Sequence, residues 1–128
     1  MKQIKQVIVM RKDLNMRKGK MISQGSHASM KFLFDLSKKS ENGFIFDYPD
    51  EDVKSWIESN FRKITVSVDS EQELLAIYEQ AKEKGLIVSL ITDNGLTEFN
   101  GIPTNTCIAI GPCDDDKVNP LTGHLKLL

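Results

Sequence analysis

The sequence is poor in the residues that cross-link a chain or hold a metal. Two cysteines, Cys107 and Cys113, in 128 residues make no disulfide framework, and the two histidines, His27 and His124, form no clustered ligand set at zinc-site spacing. No metal is therefore expected. Cys107 falls in an apolar run and is expected in the core; Cys113 is expected nearer to solvent. No apolar run approaches the roughly 20 residues that cross a bilayer, and residues 1–14 carry a strand-like pattern with no signal-peptide core. The expectation is a cytoplasmic protein without a membrane partner. There is no internal repeat, linker or low-complexity tract. What remains, 40% hydrophobic and 27% charged, is the composition of one ordinary globular domain.

A formal net charge of -1 conceals an asymmetry. Residues 1–39 hold ten Lys/Arg against Asp13 and Asp35, a formal +8, whereas the other 89 residues hold seven against sixteen Asp/Glu, a formal −9. Such a split draws a polyanion to one face and keeps it off the others. Taken singly, each lysine is an ordinary solvated side chain.

Hydrophobic periodicity reads as alternating strands and helices. Residues 6–11 contain the run Val-Ile-Val-Met and suit a central strand buried on both faces. Residues 20–36 follow as a helix with Lys20, Gln24, His27 and Lys31 on one face and Ile22, Ser26, Ser29, Leu33 and Leu36 on the other, the latter expected to be buried. Residues 38–51 are polar and hold Gly43 and Pro49, so they read as a loop that packs down through Phe44, Ile45, Phe46 and Tyr48. Asp50 or Asp52 caps a short helix to about residue 60 that buries Val53, Trp56 and Ile57. Residues 63–68 alternate as a strand. Ser70 with Glu73 forms a capping box for a helix that ends near Lys82, Lys84 and Gly85, and residues 86–92 are the next strand. This strand, helix, strand unit implies a right-handed parallel crossover. A fourth strand, 106–111, lies between Pro103 and Pro112. The expected fold is α/β, a single domain with a central mixed four-stranded sheet and helices on both faces.

Ligands of open α/β sheets sit beyond the carboxyl ends of parallel strands. If the first and third strands run parallel, a basic loop holding Arg11, Lys12, Arg17 and Lys18 meets a second loop holding Asp93, Asn94, Gly95 and Thr97. The free N–H groups and dipole of the first helix add to the attraction for an anion. On the residues alone Asp93-Asn-Gly also serves as a turn, Lys18 as a solvated lysine, and His27 and His124 as structural histidines.

Four segments, namely 5–30, Leu90-Ile-Thr-Asp-Asn-Gly-Leu-Thr97, Ala109-Ile-Gly-Pro112 and Thr122-Gly-His-Leu-Lys-Leu-Leu128, resemble the type 2 peptidyl-tRNA hydrolases, the archaeal and eukaryotic type, in order and over nearly the whole chain. The family's Gln-Cys-Ala-His-Ala pattern here reads Gln24-Gly25-Ser26-His27-Ala28, which removes a thiol mechanism at that position. Arg17 replaces a common glycine, and residues 38–50 have no counterpart. The resemblance implies hydrolysis of the ester between a peptide and the terminal ribose of tRNA, with no cofactor, by a homodimer. It implies catalytic roles for Lys18, Asp93, Thr97 and one of Thr104 or Thr106, with Lys18 keeping Asp93 ionised. Lys20, Gln24 and His27 are expected to support or position, and Lys2, Lys5, Arg11, Lys12, Arg17, Lys31 and Lys38 to meet tRNA phosphates. Two alternatives stand beside it: a hydrolase of misacylated or N-blocked aminoacyl-tRNA, and a silent homologue that binds RNA or a protein partner.

Overall fold

The computed structural model describes residues 2–128. Strand β1 (Ile4–Arg11) lies at the centre of a sheet ordered β4-β1-β6-β5, with β4 spanning Lys63–Val68, β5 Val88–Asp93 and β6 Thr104–Asp114. β1 pairs parallel with β4 and antiparallel with β6, and β6 pairs antiparallel with β5, so β1, β4 and β5 all run in one direction. Their carboxyl ends share one edge, as the sequence implied.

Alternation along β1 divides the core between the two faces. Val7 and Val9 join Val66, Val68, Leu74, Ile77, Val118 and Leu121 under α3 (Glu71–Glu83) and α4 (Asp115–Thr122). Ile8 and Met10 join Met16, Ala28, Ile91, Cys107 and Ala109 under α1 (Lys18–Asp35). Helices therefore cover both faces of a four-stranded mixed sheet, in agreement with the expected fold class. The capping signals hold as well. Asp50 accepts from the Val53 N–H at 2.8 Å to start α2 (Glu51–Glu58), and Ser70 accepts from the Glu73 N–H at 3.1 Å to start α3. Trp56 anchors α2 beside Phe32, and its indole donates to the Arg62 carbonyl at 2.8 Å.

Four expectations need correction. The face that α1 buries is Gln24, Gly25, Ala28 and Phe32, whereas Ile22 is 70% exposed and Ser26 and Leu36 face solvent. Two stripes at helical spacing compete in this weakly amphipathic segment, and packing of Ala28 against Met10, Ile91 and Cys107 on the sheet goes with the stripe that packs down. The segment read as a loop contains a hairpin, β2 (Lys38–Ser40) paired with β3 (Gly43–Ile45). Phe46 does pack against Phe32, but Phe44 and Ile45 remain more than half exposed, because neither ribbon face meets the core. The last strand runs through Pro112 to Asp114. A register shift sets Gly111 and Pro112 outside the ladder, so the missing proline N–H interrupts no pairing, and Cys113 resumes opposite Lys5. This pairing also buries Cys113, contrary to the exposed position expected of it. No helix among the described residues is long and apolar enough to cross a membrane.

Candidate active site

The carboxyl end of β5 delivers Asp93 to the first turns of α1. Three donors converge on its carboxylate: Lys20 Nζ at 2.9 Å and Gln24 Nε2 at 3.2 Å reach Oδ1, and the Gly95 N–H reaches Oδ2 at 2.9 Å. Lys20 and Gln24 stand four apart on α1 and thus share a face. The same ammonium donates to Thr97 Oγ1 at 2.7 Å and lies 5.8 Å from the centre of the Phe99 ring. Behind this pair Gln24 is almost fully buried, and its Oε1 accepts from Thr106 Oγ1 at 2.6 Å. The result is one connected network, Thr106 to Gln24 to Asp93 to Lys20 to Thr97, drawn from β6, α1, β5 and the loop after it.

Local structure explains why the loop can close so tightly. Gly95 has φ +84, and a Cβ there would run into the backbone of Ile102. Only glycine fits. The loop is tied across by Gly101 N–H to the Gly95 carbonyl at 2.8 Å, and Glu98 accepts from Arg17 Nε at 2.9 Å, which fastens the loop to the start of α1.

The side chains of Lys20 and Asp93 retain 14% and 10% of their exposure, so the pair is sheltered yet reachable. The Lys20 hydrogen bond, aided by the Gly95 N–H, the Lys20 charge and the Gln24 amide, holds the Asp93 carboxyl below its usual range against the opposing effect of burial. Asp93 is ionised at neutral pH. An ammonium has three N–H donors, and two of those on Lys20 are engaged, leaving one for an incoming oxygen.

Several expected site residues lie elsewhere. Lys18, not Lys20, was expected beside Asp93, but two residues along a helix turn about 200°, and Lys18 points away into an apolar groove on the other flank of α1. Thr104 donates to the Ile102 carbonyl at 2.8 Å and stays outside the network that holds Thr106. His27 is exposed, and its side chain has no hydrogen-bond partner among the described residues. Among the expected phosphate contacts, Lys5 is buried and donates to Asn119 at 2.7 Å, and Arg11 is buried in a two-pronged contact with Asp13 at 3.1 and 2.6 Å. Both belong to the central strand, whose ends are covered. Lys2 pairs with Asp52, Lys31 with Asp35 and Arg17 with Glu98. Lys12, Lys18 and Lys38 are exposed and have no side-chain hydrogen-bond or acidic partner among the described residues. Lys20 and Gln24 were legible as one face of the helix; their place at the centre depended on which face is buried.

Residues 4–128 match the family model described as Peptidyl-tRNA hydrolase PTH2. The chain belongs to that family. A PTH2 relative from Methanocaldococcus jannaschii, named Peptidyl-tRNA hydrolase, is 41% identical over 125 residues, covering 98% of this chain and 100% of its own length. A protein of the same name from Methanothermobacter thermautotrophicus matches at 41% over 125 residues with the same coverage, and one from Thermococcus onnurineus at 37% over 126 residues, 97% of each chain. The PTH2 match takes in every element that builds the Lys20–Asp93 network.

Proposed function

We propose that this chain hydrolyses the ester joining a peptide to the terminal ribose of tRNA, releasing peptide and free tRNA. The observation that carries the reading is the sheltered Lys20–Asp93 pair with one unspent N–H, in a chain of the PTH2 family. In this reading Lys20 directs that N–H at the ester carbonyl and stabilises the negative charge that develops on its oxygen. Asp93, held ionised and therefore a weak base, fixes Lys20 and orients the attacking water. Water adds to the carbonyl carbon, the carbon–oxygen bond to the ribose breaks, and the proton lost by the water ends on the ribose oxygen. Thr97 steadies the ammonium from its other side, while Thr106 fixes the Gln24 amide so that its NH2 faces Asp93. Lys12, Lys18 and Lys38 meet phosphates, with the outer N–H groups of Arg17. The enzyme works without a cofactor, in the cytoplasm and as a homodimer.

Purified protein given N-acetyl-aminoacyl-tRNA in the presence of a chelator tests the proposal. Release of the acyl group that falls by about 10²–10³ in Lys20→Met supports it. Tight tRNA binding with no turnover points instead to a silent RNA-binding homologue, and loss of activity with chelator removes the cofactor-free mechanism.

A further inference from the structure

An apolar groove of about 660 Å³ runs along the flank of α1 opposite Lys20, between that helix and the β1–β4 side of the sheet. It exists because α1 covers β5, β6 and β1 but stops short of β4. Ile8, Met10, Met21, Ile22, Met30 and Leu128 provide its apolar wall. A second hollow of about 310 Å³ continues it past Ser29, Met30 and Lys63 toward Trp56 and Phe61. From the acyl-transfer reading above, on which this step rests, we infer that the groove holds the peptide portion of the substrate.

Three observations favour that occupant. The groove begins at Lys18 and Met21, one helix width from the Lys20–Asp93 pair, and between them lies Gly19, whose missing Cβ would point into open space. A chain can therefore cross the first turn of α1 without meeting a side chain. β5 and β1 lie two strand spacings apart, roughly 10 Å, and an extended peptide covers about 3.3 Å per residue, so the third or fourth residue from the ester enters the groove. Next, three of the five methionines line it, Met10, Met21 and Met30, and flexible thioethers adapt to side chains of different shapes. A site for peptides of unrelated sequence needs that tolerance. Finally, Gly25 stands in the interior of α1, where glycine weakens a helix, although a Cβ there would meet Met10 and Ile8 only at an ordinary 3.7–4.0 Å. Packing does not demand this glycine, and the room it leaves opens into the groove.

The groove makes a prediction about acyl length. Release is measured from N-acetyl-phenylalanyl-tRNA and from tRNA carrying an acetylated five-residue apolar peptide that ends in the same phenylalanyl ester. The ratio of kcat/KM, long over short, is expected to fall at least fivefold in both Ile22→Asp and Ser26→Glu. Both positions are solvent-exposed, so the substitutions leave the fold intact. A smaller fall in either variant overturns the inference, including the case in which Ile22→Asp only changes the sedimentation coefficient, which would give the groove to a second copy of the chain. Failure of the unaltered protein to hydrolyse either substrate would instead remove the acyl-transfer reading itself, and the inference with it.

Discussion

Lys20 is the residue on which the site turns, and it is distinguished from Lys18 only by the direction in which α1 presents it. Its ammonium is held by Asp93 and Thr97, so removing it takes away both the partner of a sheltered carboxylate and the free donor. Lys20→Ala is expected to lower kcat by about 10²–10³. Lys18→Ala, lacking any contact with Asp93, should act mainly on KM and by less than about tenfold; steady-state kinetics on the two variants separates the roles. The depressed carboxyl of Asp93 gives a second expectation. A group whose folded value lies below its unfolded one, about 3.9, contributes stability that is present above that value and is lost as pH falls through the lower, folded value. Between pH 5 and 7 the pH–rate profile should therefore show no acid limb from Asp93, and the dependence of stability on acid should weaken in Asp93→Asn. The cysteines behave oppositely. Burial pushes the Cys107 thiol up to about 12 and the Cys113 thiol up to about 11. Neither should react with a thiol reagent in the native protein at pH 7, and both should react after unfolding. Cys113, expected nearer to solvent, is buried by the resumed pairing with Lys5, a partner too distant along the chain for local sequence to reveal.

At the scale of elements, what was legible is what has a period. The central strand follows from its continuous apolar run, the strand at 63–68 from alternation, and the two capped helices from helical spacing and from Asp50 and Ser70, which act through bonds only three residues long. Helix α1 was legible in extent but not in orientation. Its small residues offer two stripes of similar character, and only contact with Met10, Ile91 and Cys107 on the sheet selects Ala28 over Ser26. The choice matters, because it rotates Lys20 and Gln24 onto Asp93. The β2–β3 hairpin has all six residues exposed, so no alternation marks it. The loop after β5 is the element most sensitive to a single change. Gly95→Ala would combine a left-handed backbone with a Cβ driven into Ile102, a loss of at least about 2 kcal/mol in stability. Because Gly95 also donates to Asp93 and the loop carries Thr97, activity should fall more than stability does. Denaturant midpoint and kcat measured on the same variant separate the two effects.

For the whole molecule, the basic first third of the sequence does not translate directly into a basic face. Folding withdraws Lys5 and Arg11 into the protein and sets Lys2, Arg17 and Lys31 against carboxylates. What the fold leaves exposed and without a carboxylate partner among the described residues is Lys12 just past β1 and Lys18 at the start of α1, and Lys38 with Lys39 at the far end of α1. An 18-residue helix is about 27 Å long, so these two pairs lie at either end of a span that suits an extended polyanion better than a small one. Counterion release then gives each true phosphate contact a measurable signature, a contribution of about 0.7–0.9 to the slope of log affinity against log salt. Lys12→Gln and Lys38→Gln should each lower that slope by nearly one unit in tRNA binding. Arg11→Gln should leave it unchanged while lowering stability, because it deprives Asp13 and the Asn105 carbonyl of their buried donor. If instead Arg11→Gln flattened the salt dependence and Lys12→Gln did not, the polyanion would have to approach along the covered end of β1, and the exposed lysines would be solvation alone.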